Sequence, residues 1–174
     1  MIKVFLILTL TCATLLSHAH QVISIADGDT LTLLVDQKPL RIRLANVDAP
    51  EKNQPFGQRS KQSLSNLCWG KNAEYVTQAI DRYKRTVALV YCDGTLVNKS
   101  QVAAGMAWVY PKYNKDSNLP NIEKVARLTG LGLWSDMAPV PPWEWRRDKT
   151  LQHHKNNVTN TTIKRVDFAD STIN

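Results

Sequence analysis

The protein has 174 residues and a formal net charge of +7 at pH 7. A chain of this length can build one domain with a real core but hardly two, so we expect one domain. The isoelectric point near 9.4 indicates a polyanionic partner, either nucleic acid or an anionic surface. Charge alone does not separate these partners from a merely basic secreted protein.

The N-terminus has the three parts of a secretory signal peptide, which we assign to residues 1–19. Lys3 supplies a basic start, residues 4–16 are apolar, and Ser17-His18-Ala19 places small residues at the −3 and −1 positions. The apolar run is shorter than the roughly 20 residues that span a bilayer, so a retained membrane anchor is the weaker alternative. We therefore expect a secreted or periplasmic protein.

The next segment predicts a three-stranded meander. Residues 22–26 are β-rich, and the Asp27-Gly28 pair that follows is a strong hairpin signal. A second strand covers residues 30–35, and a turn leads to a third strand at residues 40–44. Apolar side chains alternate with arginines in this third strand, so Arg43 lies on the face opposite the apolar one.

Helical spacing then replaces the alternation. In the segment 56–67, apolar and small residues recur at helical spacing, which predicts a helix that a glycine ends. Two further strands follow at residues 73–80 and 86–92, joined by a charged turn. The segments 97–110 and 122–129 are predicted to be two more helices.

This order of elements predicts an α+β, mainly β fold. Three strands, a helix, two strands and two helices are typical of a five-stranded Greek-key barrel of the oligonucleotide-binding kind with three helices. We assign this domain to residues 20–147. Residues 148–174 are polar with few apolar side chains, which predicts a disordered tail.

Two cysteines remain once the predicted signal peptide, with its own cysteine, is removed. In an oxidising compartment Cys68 and Cys92 are expected to form a disulfide, since one follows the first helix and the other ends the last strand. Two buried free thiols are the alternative.

Acidic and basic side chains occur together where the predicted strands end. Carboxylates helped by a backbone carbonyl suit a hard cation such as Ca²⁺. Taken singly, the acids could be ordinary turn or loop residues, and the arginines could be exposed strand or turn charges. The side chains concerned are Asp27, Asp29, Asp48, Glu51, Arg43 and Arg85.

These residue types suffice for phosphodiester hydrolysis. A cation polarises the phosphate, a carboxylate orients or deprotonates water, and guanidinium groups pair with phosphate oxygens. Arginine suits this task because its charge is permanent and its donors are forked.

The chain resembles the staphylococcal nuclease (thermonuclease) family over about residues 21–147. The resemblance rests on motifs that occur in order with sensible spacing: "DGDT", "RIRLANVDAPE", "QPFGQ", "DRYKR", "DGTLVN", "VAAGMAWVY", "GLGLWS" and "PPWEWR". It implies an oligonucleotide-binding barrel and Ca²⁺-dependent cleavage of DNA and RNA to 3′-phosphate products.

The resemblance also implies roles for single residues. The family's metal-binding carboxylates correspond to Asp29 and Asp48, and its carbonyl ligand corresponds to Ala49. Its glutamate, which acts as general base or orients water, corresponds to Glu51. The two catalytic, phosphate-binding arginines correspond to Arg43 and Arg85.

Further positions correspond to supporting roles. Asp27 resembles the acid that supports the metal site from outside, and Arg82 and Tyr83 match positions that contact the terminal phosphate of the substrate. We favour Tyr113 as the base-stacking tyrosine and assign Trp108 to the core.

One departure from the family concerns the turn before the second arginine. The family often has glycine there, whereas this chain has Lys84. The substitution bears on the conformation of the turn and thus on the direction in which Arg85 points.

The sequence therefore predicts a secreted or periplasmic Ca²⁺-dependent endonuclease of low sequence specificity. We expect a monomer that acts on DNA and RNA and has no membrane attachment after signal removal. A non-catalytic nucleic-acid-binding barrel is the main alternative, and a basic adhesin on an anionic surface is a third possibility.

Overall fold

A computed structural model describes residues 19–148, so the predicted signal peptide up to residue 18 and the predicted tail from residue 149 lie outside it. The described strands are β1 (His20–Ile25), β2 (Thr30–Val35), β3 (Lys38–Leu44), β4 (Val47–Asp48), β5 (Asn72–Ile80), β6 (Thr86–Cys92), β7 (Thr95–Leu96) and β8 (Trp108–Val109). The helices are α1 (Gly57–Cys68), α2 (Val97–Ala103), α3 (Leu119–Leu128), a 3₁₀ turn (Gly132–Ser135) and α4, which covers residues 142–148.

Five of these strands close into a barrel. The sheet runs in the order β3, β2, β1, β5, β6, and a parallel pairing between β3 and β6 joins its two edges. The remaining barrel contacts are antiparallel. This closure confirms the predicted mainly β barrel, and the structure adds the 3₁₀ turn and α4 to the three predicted helices.

The barrel interior follows the alternation seen in the sequence. Leu31 and Leu33 of β2 and Ile42 and Leu44 of β3 are completely buried. Arg43, between the last two, points to the other face and stays partly accessible. Burying each large aliphatic side chain contributes about 1.5 to 3 kcal/mol, so a one-residue slip of β3 would be strongly disfavoured.

The prediction of one helix over residues 97–110 is wrong. Helix α2 ends at Ala103, and Gly105 then adopts a φ of +62°, a left-handed conformation that ends helices. A Cβ at Gly105 would meet the main chain of Leu131. The following Trp108–Val109 segment forms β8, which pairs antiparallel with β4.

A second, smaller cluster of buried side chains lies outside the barrel. Trp108 and Trp134 pack edge to face with ring centroids 4.4 Å apart, and Trp143 of α4 packs against Trp108 at 5.8 Å. The core assignment of Trp108 is therefore confirmed. Within residues 19–148, no helix is long and apolar enough to cross a bilayer.

Cys68 and Cys92 form the predicted disulfide, with their Cα atoms 5.4 Å apart. The bond joins the end of α1 to the end of β6. Both cysteines are buried in the main core, so the link fixes the helix against the barrel.

Reduction of this disulfide should destabilise the fold by about 3 to 4 kcal/mol, because the bond closes a loop between residues 24 apart in sequence. Urea unfolding with and without reductant measures the effect. The double variant Cys68→Ser/Cys92→Ser is the matched control and should not respond to reductant. Equal stability of the wild type under both conditions would contradict the prediction.

Candidate active site

The predicted site residues meet at one end of the barrel, where three chain segments lie side by side. One segment connects β1 to β2, another follows β3, and the third connects β5 to β6. Strand register explains the convergence, since Thr30 pairs with Arg43 and Ile42 pairs with Thr86 across the parallel contact. Barrel closure therefore brings residues distant in sequence to one edge.

Arg43 links two buried carboxylates. Its Nη2 lies 2.8 Å from Oδ1 of Asp48 and 3.4 Å from Oδ2 of Asp29. The two aspartates are 1% and 6% exposed, respectively. Arg43 Nη1 also donates a hydrogen bond to the Leu44 carbonyl oxygen at 3.2 Å. A buried carboxylate without a cation is costly, so Arg43 stabilises the pair in addition to any contact with a ligand.

Backbone contacts fix the three predicted metal-binding residues next to one another. The Ala49 amide donates to Oδ2 of Asp29 at 2.9 Å, and the Leu44 amide donates to the Asp29 carbonyl at 2.8 Å. Asp48 is held by its strand pairing with Trp108. The short β4–β8 ladder, which replaces the end of the predicted helix, thus positions an acid of the site.

Arg85 reaches one of these carboxylates, Asp29, through a hydroxyl group. Its Nη1 donates to Thr30 Oγ1 at 3.3 Å, and that hydroxyl donates to Oδ1 of Asp29 at 2.9 Å. Asp81 orients the guanidinium, because Arg85 Nε lies 2.7 Å from Asp81 Oδ2. Although burial acts in the opposite direction, the hydrogen bonds from Arg85 lower the pKa of Asp81, which keeps the orienting carboxylate ionised.

The turn before Arg85 keeps a glycine-like conformation. Lys84 adopts a φ of +61°, the left-handed region that favours glycine. Lysine at this position therefore has the backbone conformation that glycine adopts most readily. In the same turn, Arg82 donates to the Tyr83 hydroxyl at 2.7 Å, and the Arg85 guanidinium lies 5.5 Å from the Tyr83 ring centroid. The predicted phosphate contacts Arg82 and Tyr83 thus adjoin Arg85.

Tyr113 lies on the other side of the site. It is 55% exposed and packs edge to face on Tyr110 with a centroid distance of 4.9 Å. Tyr110 in turn lies 5.9 Å from the Arg43 guanidinium. The exposed ring is separated from Arg43 by one aromatic side chain, a position open to a nucleic-acid base.

Arg146 of α4 belongs to the site but was missed by sequence reasoning. Its Nη2 lies 2.7 Å from Oδ2 of Asp48, and its Nη1 lies 2.6 Å from Oε1 of Glu51. Glu51 is therefore connected to Asp48 through a guanidinium. The signal was the "PPWEWR" motif, in which Trp143 and Arg146 are three residues apart and hence on one helix face.

A buried amide supports the β1–β2 connection from behind. Gln101 Nε2 donates to the Gly28 carbonyl at 2.7 Å and to the Ser60 carbonyl at 3.1 Å. A Cβ at Gly28 would lie 2.9 Å from the Ala49 Cβ and would collide with Ser60. Gly28 is needed for this close approach of helix α1, which the hairpin interpretation of Asp27-Gly28 did not include.

Burial shifts the acid–base equilibria of the site. Burial, and then the charge of Asp29, raise the pKa of Asp27 to about 6. Burial also raises the pKa of Asp48, and the hydrogen bond from Arg146 only partly offsets it. Burial alone would lower the pKa of Arg43, yet the charges of Asp29 and Asp48 raise it. Added positive charge would therefore stabilise the ionised aspartates.

The donor atoms at this edge fit a hard cation. Within residues 19–148, no three His, Cys, Asp or Glu side chains form a metal cluster by themselves. The set predicted from the sequence is two carboxylates, from Asp29 and Asp48, and the Ala49 main-chain carbonyl. These are all oxygen donors, and Ca²⁺ completes such sets with water.

Comparison with known proteins identifies one family. The family model described as "Staphylococcal nuclease homologue" matches residues 41–136. An "Uncharacterized endonuclease" of Haemophilus influenzae is 43% identical over 132 residues, which cover 75% of this chain and 74% of that protein. A protein of the same description from Escherichia coli O157:H7 is 45% identical over 130 residues, covering 74% and 85%. A "Micrococcal nuclease" of Shigella flexneri is 41% identical over 138 residues, covering 73% and 79%.

Asp27→Asn should stabilise the protein without divalent metal, and the gain should increase with pH. A carboxyl whose folded-state pKa is raised contributes stability below its unfolded value of 3.8, and this contribution is lost as the pH rises through about 6. We expect the advantage of asparagine to grow by about 1 kcal/mol between pH 5 and pH 8. Urea unfolding in EDTA measures it.

The matched control is Asp36→Asn, at an exposed carboxylate in the β2–β3 turn. A gain for Asp27→Asn that has the same pH dependence as the control would contradict the proposed burial of Asp27.

Proposed function

Because the chain belongs to the staphylococcal nuclease family, we propose that it is a Ca²⁺-dependent endonuclease. It hydrolyses phosphodiester bonds of DNA and RNA with low sequence specificity and leaves 3′-phosphate ends. The observation that carries this proposal is that Arg43 contacts the buried carboxylates Asp29 and Asp48, while Arg85 reaches Asp29 through the Thr30 hydroxyl at the same end of the barrel.

Substrate binding depends on the arginines. A phosphodiester is a monoanion whose two non-bridging oxygens match the forked donors of a guanidinium. Arg43 contacts both acids and Arg85 is linked to Asp29 through Thr30, so we expect a phosphate bound at this edge to contact both guanidinium groups. Arg82 and Tyr83 extend the basic surface, and Tyr113 offers an exposed ring for base stacking. These contacts address backbone and ring faces, which supports low sequence specificity.

The metal site would use the oxygen donors described above. Asp29, Asp48 and the Ala49 carbonyl would hold Ca²⁺, which when bound polarises the phosphate and lowers the pKa of water. Asp27 supports the site from behind, since its Oδ1 accepts a hydrogen bond from the Asp29 amide at 3.1 Å. That hydrogen bond fixes the backbone on which Asp29 projects.

Glu51 is the residue we assign to the attacking water. Its side chain is 42% exposed, so water reaches it, and the Glu51 backbone amide donates a hydrogen bond to Gln54 Oε1 at 3.1 Å, which holds the loop. As a carboxylate it can accept a proton from water or orient the water toward phosphorus. Arg43 and Arg85 would then stabilise the charge that develops on the phosphate oxygens.

The predicted leader and the disulfide both support a place of action outside the cytoplasm. The predicted signal peptide would direct the chain out of the cytoplasm, and the Cys68–Cys92 bond is typical of oxidising compartments. We infer a secreted or periplasmic monomer.

Glu51→Gln should lower kcat by at least about 100-fold, because glutamine cannot accept the proton. Cleavage of supercoiled plasmid DNA measures the rate, and thermal unfolding checks the fold. Glu74→Gln, on an exposed position of β5, is the matched control and should retain wild-type activity. Near wild-type cleavage by Glu51→Gln would refute the assigned role.

Chelation of Ca²⁺ with EGTA in the presence of Mg²⁺ should abolish cleavage of DNA and RNA, and excess Ca²⁺ should restore it. The reason is that Mg²⁺ demands a stricter octahedral geometry than two carboxylates and a carbonyl impose. Product ends should block primer extension until a phosphatase removes the 3′-phosphate. Full activity in EGTA would overturn the calcium assignment, and DNA binding without any cleavage would favour the non-catalytic barrel.

A further inference from the structure

The Arg146 side chain contacts two acids with different proposed roles: Asp48, a metal ligand, and Glu51, which acts on the attacking water. Besides its contacts of 2.7 Å to Asp48 and 2.6 Å to Glu51, its Nη1 donates to Oδ1 of Asp48 at 3.3 Å. The guanidinium therefore contacts both oxygens of Asp48 and one of Glu51. Arg146 lies beyond residues 41–136, which the family model matches.

The two arginines that hold Asp48 differ in their freedom to leave it. The Arg43 side chain is 13% exposed, projects from a barrel strand and also donates to the Leu44 carbonyl. The Arg146 side chain is 43% exposed and projects from α4. Moving Arg43 would also take away the guanidinium paired with Asp29, whereas the Arg146 side chain reaches Asp48 from a more exposed position.

A bound divalent cation and the observed position of Arg146 compete for the same oxygens. Metal binding requires a lone pair of Asp48, and both of its oxygens now accept hydrogen bonds from guanidinium groups. A positive guanidinium at this distance would also repel a doubly charged ion, and most strongly where water is excluded. Asp48, at 1% exposure, is such a place.

We propose that Arg146 is an internal counter-ion of the metal-free protein, which gives up Asp48 when Ca²⁺ binds, so that the competition sets the metal affinity. The inference rests on the proposed function, since it takes Asp48 as a metal ligand. Helix α4 itself stays in place, because Trp143 stacks on Tyr110 at 5.2 Å and packs against Trp108. Only the arginine side chain exchanges.

The test is calorimetric titration of CaCl₂ into metal-free wild type, Arg146→Gln and Arg147→Gln. Arg147 is the matched control: it neighbours Arg146 on α4, is 69% exposed and pairs with Asp148 rather than with the site. Removing the competing charge should lower the Kd for Ca²⁺ roughly tenfold in Arg146→Gln, and by less than about twofold in Arg147→Gln. Arg146→Lys cannot contact both acids at once, so its affinity should lie between wild type and Arg146→Gln.

A second readout uses the wild type alone. In ¹⁵N spectra, the Arg146 guanidinium should show slow, protected N–H exchange in EDTA and fast exchange after CaCl₂ is added, while Arg43 stays protected. This measurement applies even if Arg146→Gln does not fold.

Two results would overturn the inference while the nuclease assignment stands: equal or weaker Ca²⁺ binding by Arg146→Gln in a protein that still needs Ca²⁺ for cleavage, or an Arg146 side chain that stays protected in CaCl₂. If neither wild type nor Arg146→Gln binds Ca²⁺, the calcium assignment fails and the inference fails with it.

Discussion

The parallel pairing of β3 with β6 is the contact on which the site depends. Strand β3 carries Arg43 and leads directly to Asp48, while β6 begins one residue after Arg85. Pairing Ile42 with Thr86 therefore places Arg85 beside Arg43 and the β1–β2 connection. An open sheet with the same strands would keep Arg43 at Asp29 and Asp48, which the β2–β3 pairing already positions, but would leave Arg85 apart from them. The closure that forms the core is thus also what brings the second barrel arginine to the site.

Sequence reasoning predicted most of the barrel because local signals and tertiary structure agree there. Strand β6 begins and ends as expected, and α1 is displaced by a single residue. Local signals and tertiary structure disagree at residues 97–110. The apolar positions there fit helical spacing, but Gly105 ends the helix and β8 pairs with β4 instead. A two-residue strand stabilised by a distant partner has no local pattern to find.

The site shows the same difference between residues placed by local signals and residues placed by tertiary packing. The acids and the two barrel arginines follow strands and turns, so the order of elements was enough to bring them together. Arg146 is held by contacts 95 and 98 residues distant in sequence, and its placement depends on how α4 packs on the tryptophan cluster. Gln101 had no role assigned from the sequence, yet its amide fixes the turn that carries Asp27 and Asp29. Both roles arise from tertiary packing that periodicity does not encode.

Because Trp143 anchors α4, the site is complete only after this last described helix has been synthesised and has packed on the barrel. The site draws on residues from Asp27, near the start of the described chain, to Arg146, near its end. During synthesis, the acids and the barrel arginines therefore leave the ribosome well before Arg146 does. Full charge balance at Asp48 is a property of the finished molecule, and a fragment that ends before α4 would lack it however well its barrel folds.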